Sequence, residues 1–232
     1  MQSFVNKYGP WAVITGASRG LGEAFAEEFA RLGFHLVLSA RSTDKLEELA
    51  AHLRQKFKVE IRPVTLDLSD PAAPAKLTEA CADVDVGLLV NNAGIFPKNF
   101  FEDMPLDELL ATVRLNCSAG LELTHRMIPR FQKRVRSGVI FVSSIQAFQS
   151  VPYMSNYSAT KAYNFLLAQG LWYELKPLGI DVLSLNPGFI NKPWKNAGTG
   201  ATDPEPIVRD AVKYLGRRMF VVTGFINKLF GN

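Results

Sequence analysis

Tyr157 and Lys161 lie four residues apart, and Ser144 precedes the tyrosine by thirteen residues. From Ser158 the chain has a helical pattern, and residues i and i+4 share one face of a helix, so the phenol and the ammonium should project side by side. An ammonium beside a phenol favours phenolate, which predicts that the pKa of Tyr157 lies below its usual value of about 10. Such a tyrosine can exchange a proton with an alcohol oxygen near neutral pH. Taken alone, the pair also fits two residues on a helix surface.

A glycine-rich turn separates the first predicted strand, Trp11–Thr15, from an amphipathic helix that ends at Gly33. Its glycines are Gly16, Gly20 and Gly22. Glycines let the backbone approach a pyrophosphate closely, and the start of the helix offers N–H groups and a positive dipole. Strand, turn and helix in this order predict a nucleotide-binding site, with a loop of small residues as the alternative.

The second predicted strand, Phe34–Ser39, is followed by a basic residue where NAD-specific proteins usually carry an acidic one. No Asp or Glu occurs between residues 36 and 42, whereas Arg41 follows the strand and Arg19 lies in the glycine turn. Guanidinium groups at these places would pair with a ribose 2′-phosphate. We therefore expect NADP(H) in preference to NAD(H), unless Arg41 points to solvent.

Strands and helices alternate along the chain, and the strands are apolar and rich in valine and leucine. This pattern predicts an α/β fold in one domain, residues 1–232, with a parallel sheet that is covered on both faces. In such sheets the ligand crevice lies at the carboxyl ends of the strands. The other predicted strands are Lys58–Thr65, Asp85–Val90, Gly138–Ser143, Ile180–Leu185 and Met219–Val222, and the later helices are Thr43–Phe57, Ser69–Ala82, Pro105–Lys133, Ser158–Lys176 and Glu205–Leu215.

Two polar residues near strand ends and in a helix each allow two interpretations. Asp67, after the third strand, could accept a hydrogen bond from an adenine amine or cap the next helix. Asn116 lies among apolar neighbours in a predicted helix, and a buried amide there needs hydrogen-bond partners. It could tie the helix to a neighbouring strand, act in a proton relay, or do both.

Composition excludes several classes of function. The 232 residues are 47% hydrophobic and 21% charged with a net charge of +4, which is typical of a globular domain. We find no nucleic-acid motif, no metal-ligand set and no apolar run long enough to span a membrane. Cys81 and Cys117 are expected to be buried free thiols, which favours a cytoplasmic protein. A basic cluster is interpreted as a solvated helix end rather than a patch for an anionic partner; it comprises Arg126, Arg130, Lys133, Arg134 and Arg136.

Seven motifs in order, from about Trp11 to Pro193, resemble those of the short-chain dehydrogenases/reductases of the classical type. The resemblance implies a Rossmann-type doubly wound parallel sheet and a catalytic tetrad in which Tyr157 is the acid/base. It also implies that Ser144 binds the substrate oxygen, that Lys161 holds the nicotinamide ribose, and that Asn116 supports a water relay. The matching residues are Thr15-Gly16-x-x-x-Gly20-x-Gly22, Asp67, Asn91-Asn92-Ala93-Gly94, Asn116, Ser144, Tyr157-x-x-x-Lys161 and Pro187-Gly188.

The motifs assign the cofactor mainly to residues 1–140 and catalysis with substrate binding to residues 141–232. Most candidate substrate residues are apolar or aromatic, so we expect an apolar or aromatic carbonyl or alcohol: Ser144, Gln146, Phe148, Tyr153, Phe189 and Trp194. The predicted cofactor residues are Gly16, Ser18, Arg19, Gly20, Leu21, Gly22, Ser39, Arg41, Asp67, Leu68, Asn92, Ala93, Gly94, Tyr157, Lys161, Pro187, Gly188 and Ile190.

One position departs from the family pattern. Four residues past Gly188 the family usually has a threonine that binds the nicotinamide carboxamide, and this chain has Lys192. The departure keeps open an alternative function, a non-catalytic NADP-binding sensor or scaffold. The family also implies a homodimer or homotetramer, with the helices Pro105–Lys133 and Ser158–Lys176 at the main interface.

Overall fold

The computed structural model describes residues 4–191 and 201–224. Seven parallel strands form one sheet in the order β3-β2-β1-β4-β5-β6-β7, and helices cover both faces, so the chain has the predicted Rossmann-type α/β fold. The strands are β1 (Trp11–Thr15), β2 (His35–Ala40), β3 (Ile61–Thr65), β4 (Val86–Asn91), β5 (Ser137–Val142), β6 (Ile180–Pro187) and β7 (Phe220–Thr223).

The predicted helices are present, and all except Thr43–Phe57 differ from the prediction at their ends. The predicted helix Pro105–Lys133 is α5 and α6, joined by one π-helical turn at Arg114–Ser118. A short first helix was not predicted, because five residues carry too little periodic pattern. The helices are α1 (Phe4–Tyr8), α2 (Gly20–Arg31), α3 (Thr43–Phe57), α4 (Ala73–Glu79), α5 (Leu106–Val113), α6 (Ala119–Phe131), α7 (Ser155–Leu175) and α8 (Pro204–Tyr214).

The starts of β3 and α7 are among the boundaries that differ from the sequence prediction. Lys58 adopts a left-handed conformation with φ 55° and ends α3, so β3 begins at Ile61 and not at Lys58. Helix α7 begins at Ser155, three residues before the predicted start. Tyr157 consequently lies inside the first turn of α7, where the helix fixes its backbone.

Both faces of the sheet are buried, as the apolar strands predict. Alternate residues of β1 point to opposite faces. Ala12 and Ile14 join a core with α2, α3 and α8, whereas Trp11 and Val13 join a core with α4 and α6. Both faces of the sheet are therefore covered, which leaves the strand ends as the places where side chains can reach a ligand.

The strand order reverses between β1 and β4, which pair in parallel up to Ile14 and Val90. The chain that follows β1 and the chain that follows β4 lead to opposite faces of the sheet, so a crevice opens between the carboxyl ends of the two strands. Among the described residues, no helix is long and apolar enough to cross a bilayer. Cys81 and Cys117 are buried free thiols, as expected.

A buried carboxylate binds the N-terminal helix at the amino edge of the sheet, meaning the side where the strands begin. Asp181, at the start of β6, is 4% exposed. It accepts hydrogen bonds from the Tyr8 hydroxyl at 2.6 Å and from Arg136 Nε at 2.9 Å, and it pairs with Lys7 at 3.0 Å. These contacts join α1 to the sheet.

Three arginines of the basic cluster are bound rather than solvated, which corrects the sequence interpretation. Arg136 binds the buried Asp181. Arg130 donates to three backbone carbonyls between residues 81 and 84. Arg134 binds the Asp85 carboxylate and a backbone carbonyl near the start of β1. A fork of donors can satisfy several acceptors at once, so these side chains stabilise the protein's own turns.

Candidate active site

The glycine turn after β1 is shaped for close backbone approach. Gly16 and Gly20 have φ of 66° and 60°, a region that glycine adopts without strain. A Cβ on Gly22 would lie 2.2 Å from the Gly16 carbonyl oxygen, so only glycine lets α2 pack this close. Asn92 Nδ2 donates to the carbonyls of Thr15 and Gly16 at 2.8 and 3.2 Å and holds the turn against the end of β4.

This turn fits a dinucleotide. A Cβ on Gly20 would meet no heavy atom within 4 Å, so the start of α2 faces open space. The Arg19 side chain does not cap the first N–H groups of α2, which leaves them available to an anion. Gly22 lines neither of the two site cavities described below, and its contribution is the close packing of helix on turn.

A cleft of about 660 Å³ opens above the reversal of strand order. Its lining contains most of the predicted cofactor residues, and it places the glycine turn, the end of β2 and the segment after β4 around one space. The predicted residues in this lining are Gly16, Ser18, Arg19, Gly20, Leu21, Ser39, Arg41, Asp67, Leu68, Asn92, Ala93, Gly94 and Ile190.

The far part of the cleft is cationic. Arg19, Arg41 and Lys45 line it together with a single acid, Asp67. Arg41 Nη1 lies 3.9 Å from Asp67 Oδ2, and both side chains are at least 46% exposed. Such an exposed pair is weak and can open to receive an anion. Sequence reasoning missed Lys45, although its place in the first turn of α3, the helix that follows β2, could have found it.

Asp67 lines the cleft and caps a turn, but it does not cap α4, which begins at Ala73, so the helix-cap interpretation is wrong. Its carboxylate accepts hydrogen bonds from the backbone N–H and the hydroxyl of Ser69 at 2.9 and 2.7 Å, ahead of α4. Partial burial alone would raise the pKa of Asp67, but these bonds and the charge of Arg41 outweigh it and hold the pKa below its usual value. Asp67 is therefore an anion at neutral pH.

Ser144, Tyr157 and Lys161 meet in a second cavity of about 160 Å³. Pro187 and Gly188, at the end of β6, form its far side. The two cavities share lining residues and therefore adjoin; the shared residues are Leu21, Asn92, Gly94, Phe96 and Ile190.

The predicted pKa shift of Tyr157 is wrong in direction. Burial raises the pKa of Tyr157, and a hydrogen bond from Ser144 only partly offsets it. Lys161 does not reverse the shift, because its Nζ donates to the Val142 carbonyl at 2.8 Å and lies 5.7 Å from the centre of the Tyr157 ring. Tyr157 is therefore a phenol at neutral pH.

Lys161 is buried and carries a strongly shifted pKa. Desolvation lowers the pKa of Lys161 from 10.5 to about 8. The ammonium is still the main form at pH 7, and a backbone carbonyl satisfies one of its three donors. Ser143 Oγ donates to the Lys161 backbone carbonyl at 2.7 Å and fixes this turn of α7 to the end of β5.

Ser143 and Ser144 point in different directions, as strand alternation predicts. Ser144 Oγ accepts the backbone N–H of Gln146 at 3.2 Å, in a 3₁₀ turn over Ile145–Ala147. Its own proton is thereby directed to the other side, where Tyr157 accepts it. Ser144 is thus held as a donor at the same place as the phenol.

Asn116 lies in the π-helical turn and ties three elements together. Its Oδ1 accepts the Ile95 N–H, and its Nδ2 donates to the Ile95 carbonyl, both at 2.9 Å. Nδ2 also donates to Thr160 Oγ1 on α7 at 3.0 Å. Asn116 therefore has the structural role foreseen from the sequence, next to Gly94 and Lys161.

Four of the other candidate substrate residues, Gln146, Phe148, Tyr153 and Phe189, lie outside the lining of both cavities. Gln146 Oε1 accepts the Ser158 hydroxyl at 2.8 Å. Phe148 packs against Phe165 and Phe220, and Tyr153 packs edge-on against Phe100. Phe189 is 69% exposed. Trp194 and Lys192 lie outside the described residues, so their roles stay predictions.

Comparison with known proteins gives the family. The family model of short chain dehydrogenases matches residues 10–199. The chain is 35% identical over 188 residues to very-long-chain 3-oxoacyl-CoA reductase-A of Danio rerio, a match that covers 79% of this chain and 59% of that protein. It is 31% identical over 234 residues to 7beta-hydroxysteroid dehydrogenase of Clostridium sardiniense, covering 97% and 90%.

A solved structure agrees with the sequence relatives. A short-chain dehydrogenase from Sphingobium yanoikuyae in complex with NADPH has a TM-score of 0.85 and 33% identity, covering 93% of this chain and 87% of that one. The chain therefore belongs to the short-chain dehydrogenase/reductase family. Its relatives are oxidoreductases that act on carbonyl or hydroxyl groups.

Proposed function

We propose that this protein is an NADP(H)-dependent oxidoreductase that interconverts a ketone or aldehyde and its alcohol. The main support is that Ser144, Tyr157 and Lys161 meet in one cavity. This cavity adjoins a cleft that is lined by the glycine turn and by cationic side chains. In this proposal the cleft residues up to about 140 hold the cofactor, and residues after about 141 bind and convert the substrate.

The cations of the cleft support NADP(H) as the cofactor. Arg19, Arg41 and Lys45 provide hydrogen-bond donors for a 2′-phosphate. The end of β2 has no Asp or Glu that could accept a hydrogen bond from a 2′-hydroxyl. The NADPH complex of the structural relative agrees with this choice. When bound, the nicotinamide would supply or accept the hydride.

The chain's own residues then supply the proton and the charge. When a carbonyl oxygen enters the cavity, the Ser144 hydroxyl turns its single proton from Tyr157 to that oxygen, while the Gln146 N–H keeps the other side of Ser144 Oγ occupied. Tyr157, kept as a phenol by burial, donates its proton to the same oxygen as negative charge develops there. Lys161 offers its remaining donors to a ribose hydroxyl and stabilises the phenolate that is left.

We propose an apolar or aromatic substrate. Phe96 lies with its ring 6.0 Å from that of Tyr157 and is 54% exposed at the mouth of the cavity. Two relatives are named for a very-long-chain oxoacyl-CoA and for a hydroxysteroid, whose acyl chain and ring system are apolar. A panel of ketones and alcohols of graded apolar size would rank the candidates.

We also propose assembly through α5 and α7. Leu106 on α5 and Leu166 on α7 are 68% and 64% exposed, and Leu110 and Tyr173 on the same helices are also exposed. Exposed apolar side chains in this number are typical of interaction surfaces. Sedimentation analysis would distinguish a dimer from a tetramer.

The decisive test replaces Tyr157 by Phe. We expect turnover of a carbonyl panel with NADPH to fall by about 10²–10⁴-fold, because the proton donor is lost. NADPH affinity, measured by fluorescence, should stay unchanged. The matched control is Tyr163→Phe on the same helix, which should keep full activity.

Two outcomes would contradict the proposal. Retained turnover in Tyr157→Phe would show that another group donates the proton. NADPH binding without turnover of any carbonyl or alcohol by the unaltered protein would indicate a cofactor sensor instead.

A further inference from the structure

Two buried asparagines face one small cavity behind the active site. Asn91 ends β4 and is 9% exposed, and Asn164 lies on α7 and is 5% exposed. Both line a cavity whose walls are otherwise largely apolar, with Leu115, Leu123 and Phe141 among them. Their Oδ1 atoms are buried, and no donor within residues 4–191 and 201–224 reaches either one.

The orientation of the Asn91 amide is fixed by its partner. Asn91 Nδ2 donates to Thr124 Oγ1 at 2.9 Å. The Thr124 hydroxyl gives its only proton to the Gly120 carbonyl at 2.7 Å, so it can only accept from Asn91. Turning the amide over would place two acceptors against each other, so Oδ1 must be the atom without a partner.

The orientation of the Asn164 amide is fixed in the same way. Its Nδ2 donates to the backbone carbonyl of Asn116 at 2.8 Å, and a carbonyl cannot donate in return. Asn164 Oδ1 is therefore also an acceptor without a donor. Buried polar groups are almost always hydrogen-bonded, and leaving one without a partner costs free energy.

We propose that one internal water molecule bridges Asn91 Oδ1 and Asn164 Oδ1. A water has two O–H donors, one for each oxygen. About 10 Å³ of the cavity can be occupied by the centre of a water molecule, which is close to the minimum for one buried water. Two acceptors and room for one molecule select water over a larger ligand.

The water completes a chain of hydrogen bonds that ends at the active site. The chain runs from Thr124 through Asn91, the water and Asn164 to the Asn116 carbonyl. The Asn116 side chain in turn holds Ile95. Asn91 and Asn164 are therefore positioning residues for the tetrad, an effect on turnover that rests on the proposed function.

The first test observes the water in the unaltered protein. A crystal structure at high resolution should show one ordered water within hydrogen-bond distance of both Oδ1 atoms. Protein donors at these atoms, or a cavity without density between well-ordered asparagines, would overturn the proposal.

The second test is a double-mutant cycle with Asn91→Leu, Asn164→Leu and both together, measured by denaturant unfolding. Each single change leaves the water with one acceptor and should raise the unfolding equilibrium constant by roughly ten- to a hundred-fold. The double variant should unfold far less readily than the product of the two factors predicts, because both acceptors are gone. Multiplicative effects would contradict the bridge.

The third test measures turnover in Asn164→Ala and Asn164→Leu. Alanine leaves room for a water to donate to the Asn116 carbonyl, whereas leucine fills that space. We expect kcat to fall in both variants, less in Asn164→Ala, with the KM for NADPH unchanged. An equal or larger loss in Asn164→Ala would contradict a positioning role. Absence of activity in the unaltered protein would refute the proposed function and leave the first two tests valid.

Discussion

Two clefts of nearly equal size open at opposite ends of the strands, and both are lined by several cationic side chains. The cleft at the carboxyl edge measures about 660 Å³, and the cleft at the amino edge about 650 Å³. At the amino edge, Arg134 and Arg136 pair with Asp85 and Asp181. At the carboxyl edge, Arg19 and Lys45 form no ion pair with any described residue.

The comparison shows that the number of cations does not identify a site. The carboxyl edge differs because its hydrogen-bond donors remain available to a ligand. These donors are the uncapped N–H groups at the start of α2, the cations of the cleft, and the unused N–H groups of Lys161. At the amino edge the same residue types are mostly used to hold the fold. Variants at the two edges should therefore separate stability from activity.

The largest effect on stability is expected for Asp181→Ala. It leaves the Tyr8 hydroxyl without its acceptor and Arg136 without its carboxylate. Breaking a buried pair costs about 3 kcal/mol or more, and we expect a loss of about that size in denaturant unfolding. The kcat of the folded protein should not change. A large loss of kcat with unchanged stability would show that the amino edge takes part in function.

The next effect is a dependence of activity on pH through Lys161. Its pKa is lowered to about 8, so the ammonium is lost as the pH rises above this value. We expect kcat/KM for carbonyl reduction to fall about tenfold per pH unit above it. Lys161→Arg keeps its charge at these pH values and should abolish this limb of the profile. An identical limb in Lys161→Arg would assign it to another group.

The stability contribution of the same group runs in the opposite direction. Between about 8 and 10.5 the unfolded chain binds a proton that the folded chain has released from Lys161. The unfolded state then binds more protons, so this contribution to stability rises with pH. Unfolding measured across this window should show the rise, and Lys161→Met should remove it.

A moderate effect is expected for Arg41→Asp in the cofactor cleft. The carboxylate removes a partner of the 2′-phosphate and adds an acceptor for a 2′-hydroxyl. The ratio of kcat/KM for NADPH to that for NADH should fall by about tenfold or more, in proportion to one lost charged hydrogen bond. The control is Lys56→Asp on α3, outside the cleft lining. An unchanged ratio in Arg41→Asp would assign phosphate recognition to Arg19 and Lys45.

The smallest effect is expected for Lys133→Ala at the amino edge. Lys133 is exposed, and it forms no ion pair with a described residue. Removing an exposed charge of this kind changes stability by less than about 0.5 kcal/mol. Thermal unfolding and kcat should both match the unaltered protein, and a clear loss of either would indicate that the amino-edge cleft binds a partner.

The sequence by itself determined the order of strands and helices and predicted most of the residues that line the cofactor cleft. Periodicity and glycine placement predicted β1 and α3 at both ends. Spacing selected Ser144 over Ser143, and strand alternation gave the physical reason. These features are local, and local rules of chain geometry were sufficient to predict them.

Only the tertiary structure decided the electrostatics. The spacing of Tyr157 and Lys161 predicted a lowered pKa for the tyrosine, whereas burial raises the pKa of Tyr157. The Lys161 ammonium donates to the Val142 carbonyl. Likewise, no spacing rule could bring Asn91 and Asn164 to one cavity. Desolvation and hydrogen-bond completion depend on all neighbours in space, and residues far apart in the chain supply most of them.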